Sequence, residues 1–155
     1  MVMIANTLAA ELEKMAPTTV EVDAAAALSA AYEVFAKDAM GSGVPILPAG
    51  PAAGRVAMFA ALSGMSATGA GAAIMSSAII LFWATSAPLG WPPPMIAVPP
   101  PNAGLAAALP LVFAANTAGG LSIKDAMLAI ATAMYTQAII GGTVAIPPAG
   151  PLPIL

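Results

Sequence analysis

The chain has 155 residues and neither cysteine nor histidine. It is long enough for one domain with its own core, yet disulfides, thiol chemistry and imidazole-based catalysis are excluded. Only 7% of the residues are charged, against roughly 25% in an ordinary soluble domain. Four Lys and Arg against seven Asp and Glu argue against nucleic acid as the primary partner.

Along the chain, short and long helical segments alternate and proline-rich stretches follow them. No basic region precedes an apolar run at the N-terminus, so no secretory signal is expected. A short helix is predicted over Val2–Met15. A long one follows over Thr19–Met40, with Thr18 and Glu21 as its capping box. Leu28, Tyr32, Phe35 and Ala39 form its apolar stripe and Gly41 its stop. Ile46–Pro51 is the first proline-rich exit. Arg55–Gly64 is the second short helix. Thr68 caps a second long helix, Thr68–Ala87, with Ile74, Ala78, Leu81 and Phe82 on one face and Pro88 ending it. Val98–Gly104 is the second exit. The third short helix, Ala103–Ala118, contains Pro110, which is expected to kink or shorten it. Ser122 and Asp125 begin the third long helix, Ser122–Ile140, whose stripe is Ile123, Met127, Ile130 and Met134. Gly141-Gly142 stops it, and Ile146–Pro151 is the third exit.

This order predicts an all-α fold: about six helices in three short-long hairpin pairs, linked by extended proline-rich arms. The units are residues 1–51, with a charged N-terminal hairpin, then 52–102 and 103–155. Together they form one compact domain in which a threefold internal repeat is open. Each long helix carries an aromatic near its C-terminal end: Tyr32 and Phe35, Phe82 and Trp83, then Tyr135. The arms are stiff and extended, with backbone available to outside partners. Thr143–Ile146 has strand propensity and is expected to add to a neighbour's sheet edge. The apolar tail Pro151–Leu155 is expected to dock on a neighbour, a frayed terminus being the alternative. The candidate interface residues are therefore Trp83, Trp91, Val144, Ile146, Leu152, Ile154 and Leu155. Trp83 and Trp91 flank Pro88 and precede Pro92–Pro94, so stacking on prolines is expected of them before a ligand-binding aromatic box.

Charge is unevenly distributed. Residues 1–40 hold six acidic and two basic side chains, whereas residues 41–155 hold only Arg55, Lys124 and Asp125. The 68 residues from Val56 to Ile123 carry no charge. A free domain needs surface charge to stay dispersed, so most of the surface after residue 40 must be covered in use. A mean hydropathy of +0.93 points to lipid as the cover. However, 40 of the residues are alanine, which favours helix far more than it drives membrane insertion. Windows near 70–85, 103–121 and 126–146 approach spanning length, but they are interrupted by Pro110, Asn116, Gln137 and glycines. Lys14, Lys37, Arg55 and Lys124 define no clean membrane orientation. A protein lattice accommodates the same features, since obligate subunit interfaces are apolar.

Catalytic chemistry finds no footing. Ser122 beside Lys124 reads as a helix cap and not as a dyad. Glu11 and Glu13 are two apart and do not share a helical face. Metal clusters lack His, Cys and grouped acids. Gly41-Ser42-Gly43 and Gly69-Ala70-Gly71 lack a phosphate-loop context, and the ten methionines are scattered packing residues. No catalytic, cofactor-binding or metal-ligating residue is assigned, and no enzyme is expected.

An alanine-rich helix ends in Phe82-Trp83, a run of prolines follows, and a second alanine-rich helix pair leads to Thr143-Val144-Ala145-Ile146-Pro147-Pro148-Ala149-Gly150-Pro151. These features resemble small Ala/Pro-rich virion structural proteins of tailed bacteriophages. The likeness extends loosely over residues 20–151 and its motifs are compositional. It implies a multi-copy virion component, in a phage capsid or tail as structural or cement protein, whose partners are copies of itself and other structural subunits. It supplies no catalytic residue. The near absence of charge after Gly41 departs from that pattern. It keeps open a membrane-bearing virion or, as the alternative, a small integral membrane protein with two or three closely packed helices.

Overall fold

The computed structural model describes residues 3–15, 21–41, 44–45, 47, 51–63, 71–87, 95–98, 105, 107–111, 114, 119–141, 143–145 and 151–153. The fold is all-α in its core. Five helices have defined limits: α1 (Ala5–Met15), α2 (Glu21–Ala36), α3 (Ala52–Leu62), α4 (Gly71–Ser86) and α5 (Ile123–Gly141). Residues 105, 107–111 and 114 are also helical, in the region predicted for the third short helix. Pro110 lies inside that stretch and does not end it.

The helix starts follow local chemistry. α3 begins three residues before the expected Arg55, directly after Pro51. The Arg55 N–H donates to the Pro51 carbonyl at 2.9 Å, and a helix start has no use for the N–H that proline lacks. At α5, Ser122 Oγ accepts the Asp125 N–H at 3.1 Å and donates to Asp125 Oδ2 at 2.6 Å. This is the predicted cap. Just before it, Gly119 has φ +72°, a left-handed conformation that glycine adopts without strain. Thr18 and Thr68, the other predicted caps, lie outside the described residues. α2 ends at Ala36, four residues before the predicted Met40, because the chain turns at Lys37–Asp38 into a strand.

α3 packs most extensively on α4, and α1 on α5, while α2 contacts both α1 and α3. Adjacent helices α1–α2 and α3–α4 are in contact, and α5 packs against the first helix. Gly54 lies at the α3–α4 contact. A Cβ built there would stand 2.6 Å from the Phe82 carbonyl oxygen and 2.9 Å from the Phe82 ring. Only glycine lets the two backbones approach this closely.

At the centre, the aromatics of three long helices meet. Tyr32 lies 5.4 Å from Phe35, 5.0 Å from Phe82 and 6.4 Å from Trp83, centroid to centroid, and Phe35 lies 6.4 Å from Tyr135. All but the first are edge-to-face, the orientation that ring quadrupoles favour. The Trp83 Nε1–H donates to Tyr32 Oη at 2.9 Å, so two fully buried polar groups satisfy each other. Leu8 and Leu12 of α1, Met58 and Leu62 of α3, and Leu105 and Leu109 complete this core.

Short strands flank the proline-rich stretches. β1 (Met40–Gly41) pairs antiparallel with β2 (Val44–Pro45). β3 (Met95–Val98), β4 (Thr143–Ala145) and β5 (Pro151–Pro153) form an antiparallel sheet in that order. Val144 sits opposite both Ile96 and Leu152, and the register shifts between Ile96 and Val98. The strand predicted near Thr143 is therefore present, but its partners come from its own chain. β4 is central, with both edges taken, so it has no free edge to lend to a neighbour's sheet.

Candidate functional site

Of the residues singled out from sequence, Trp83, Val144 and Leu152 fall among the described residues. Trp83 is a correction: it is fully buried, hydrogen-bonded to Tyr32, and in edge-to-face contact with Phe82 at 5.6 Å. It holds the core and offers nothing to a partner. Val144 and Leu152 face each other in the β4–β5 ladder. Trp91, Ile146, Ile154 and Leu155 lie outside the described residues.

Chemically equipped groups are dispersed. Among the described residues no group of three or more His, Cys, Asp or Glu is placed to hold a metal ion. Ser122 is engaged in its cap, and Lys124 is exposed. Glu11 bridges to Lys14 at 2.6 Å on the surface of α1, a contact of little energetic weight. Tyr32 is the one buried phenol whose ionisation is displaced. Burial drives its pKa above the ordinary phenol range, and the Trp83 hydrogen bond opposes this only in part. The group is neutral and accepts the Trp83 N–H.

What the structure does expose is large aliphatic side chains. On α3, Val56 is 69% exposed; on α4, Leu81 is 43% exposed; at the start of α5, Ile123 is 61% exposed. Leu111, in the helical stretch before α5, is 72% exposed. Single exposed apolar residues are ordinary on any protein. Here, however, they lie within the 68-residue stretch that has no charge. The predicted stripes of the second and third long helices placed Leu81 and Ile123 inside. Ala78, Phe82 and Met134 of those stripes are buried, joined by Met75 and Ile79 on α4 and by Ala126, Ala131 and Ala138 on α5.

A groove of about 420 Å³ runs between α2 and α3. α2 contributes Ala26, Ser29 and Glu33, and α3 contributes Ala52, Arg55, Val56 and Phe59. These spacings put each set on one side of its helix. Arg55 Nη1 donates to Glu33 Oε2 at 3.1 Å across the groove, with the two side chains 48% and 24% exposed. The Ser29 hydroxyl donates back to the Ala26 carbonyl at 3.0 Å. Sequence pattern did not reveal this groove. Arg55 stood out as the one cation between Lys37 and Lys124, but nothing local paired it with Glu33, 22 residues earlier.

No described helix is long and apolar enough to cross a membrane. Comparison of the chain with protein families, with curated proteins and with solved structures gives no match.

Proposed function

We propose that this chain is a non-enzymatic structural subunit of a large homo- or hetero-oligomeric assembly, and specifically a phage capsid or tail structural or cement protein. One observation carries the assembly reading: large aliphatic side chains project from α3, α4 and the start of α5 within a stretch that has no charged residue. A surface of that composition is stable in water when other subunits cover it. The virion assignment draws on the resemblance of residues 20–151 to small virion proteins. Partners are accordingly further copies and other structural subunits.

The test is sedimentation of the chain expressed without detergent. Large regular particles or a defined soluble oligomer are expected. Recovery only in a detergent-extracted membrane fraction overturns the reading and restores the membrane alternative. For the virion, quantitative mass spectrometry of purified particles is expected to find the chain in stoichiometric amounts with other structural proteins.

A further inference from the structure

Resting on the assembly reading above, we propose that the α2–α3 groove is a self-association surface, occupied by the same face of a second copy across a two-fold axis. The argument for that occupant is charge complementarity. The groove carries one anion and one cation, Glu33 and Arg55, 3.1 Å apart. Their contact engages one guanidinium donor of five and leaves the Arg55 side chain about half exposed.

In an isologous pairing every contact occurs twice. With the axis passing between the two residues, Glu33 of one copy meets Arg55 of the other and Arg55 meets Glu33, so opposite charges face each other. A purely acidic or purely basic partner meets one charge of the wrong sign. Residues 1–40 carry six acids and two bases. Copies approaching through that acidic surface elsewhere repel, whereas Arg55 offsets this on the groove face. Shape agrees with charge. Val56 projects from the same face whose walls include the small side chains of Ala26 and Ala52, so projection and recess are present together, as a self-complementary surface requires. Val22, one helical turn before Ala26, is also exposed and extends the apolar strip along α2.

The experiment uses the full chain and two single charge reversals, Glu33→Arg and Arg55→Glu, with circular dichroism to confirm folding. Sedimentation equilibrium is run on each variant and on their equimolar mixture. Each variant alone places like charges across the axis, and self-association is expected to weaken roughly tenfold or more. The mixture restores opposite charges between the two different chains and is expected to recover association. A contribution made only within one chain is not rescued by mixing. Val56→Glu, at an already exposed position, carries the test if a charge reversal unfolds the chain, and it too is expected to abolish pairing. Wild-type association in all three variants overturns this surface while the assembly reading stands. So does loss in the single variants without recovery in the mixture. A wild-type chain that remains monomeric at every concentration also overturns this surface and leaves only the hetero-oligomeric form of the assembly reading.

Discussion

α2 and α5 are both long alanine-rich helices, yet they relate to the core in opposite ways. α2 turns its large residues inward: Leu28, Tyr32 and Phe35 are buried, as their spacing predicts. α5 turns mainly alanines inward, at 126, 131 and 138, with Met134 the one large apolar side chain fully buried among its described residues, and leaves Ile123 and Leu128 exposed. The difference follows from what marks the outer face. On α2, Asp23, Glu33 and the following Lys37 must stay solvated, and this fixes the helix rotation. On α5, charge is confined to Lys124 and Asp125 in the first turn, and the remaining turns have no such constraint. Rotation is then set by close approach to α1, which small side chains permit. α4 combines the two patterns: Ile79, Phe82 and Trp83 are buried together with Ala78, while Leu81 lies outside.

The largest expected effect lies where the long helices converge. Phe82 touches Tyr32 and Trp83 and is fully buried. Phe82→Ala is expected to cost about 3–5 kcal/mol, read from the shift of the urea unfolding midpoint. A loss below about 1 kcal/mol would mean that the aromatic centre is not what joins α2 to α4.

Next comes Gly54→Ala. The added methyl meets the Phe82 carbonyl, a backbone group that cannot move without displacing α4. Overpacking of this kind costs about 1–3 kcal/mol, and alanine returns about 1 kcal/mol of helix propensity. Because the obstacle is backbone, a net loss of about 2 kcal/mol is expected. Gain of stability in thermal unfolding would show that the α3–α4 contact is looser than described.

Tyr32→Phe keeps the ring and removes only the acceptor of Trp83. The indole N–H is left buried without a partner, a loss of about 1–3 kcal/mol. A pH signature accompanies it. Burial raises the folded-state pKa of Tyr32, so its contribution is fully present below the unfolded value of about 10. It is lost as pH rises from there through the folded value. Urea midpoints of the wild type are therefore expected to fall more steeply above about pH 10 than those of the variant. Parallel curves would count against a buried phenol.

Helix order, the Ser122 cap and the aromatic at the end of each long helix were legible in the sequence, because each rests on a local pattern of residue types. That these aromatics form one cluster was not, since the cluster depends on how α2, α4 and α5 cross. Trp83 was read as an interface residue from its proximity to Pro88. Its indole N–H instead found Tyr32, 51 residues away, a long-range pairing with no local trace. The sheet shows the same limit. The strand tendency of Thr143–Ala145 was visible, whereas pairing on both sides with β3 and β5 is a tertiary outcome. The α2–α3 groove likewise joins residues of two helices through the Glu33–Arg55 bridge.

The smallest effect on stability is expected on the outward faces, and it sharpens the comparison most. Leu81 and Ile123 should be spectators in folding, since both lie on the outward faces of their helices. Leu81→Gln and Ile123→Gln are then expected to change unfolding free energy by no more than about 0.5 kcal/mol. Inward-facing side chains would lose several times more when made polar, because burial of an unpaired amide costs about 1–3 kcal/mol. The two variants are expected to reduce particle formation in light scattering, since the apolar contact with neighbouring subunits is weakened. Two quantities are thus separated in one pair of proteins. Stability that falls with the substitution places these residues in the core, as periodicity first indicated. Unchanged stability with impaired assembly assigns them to the contacts between subunits.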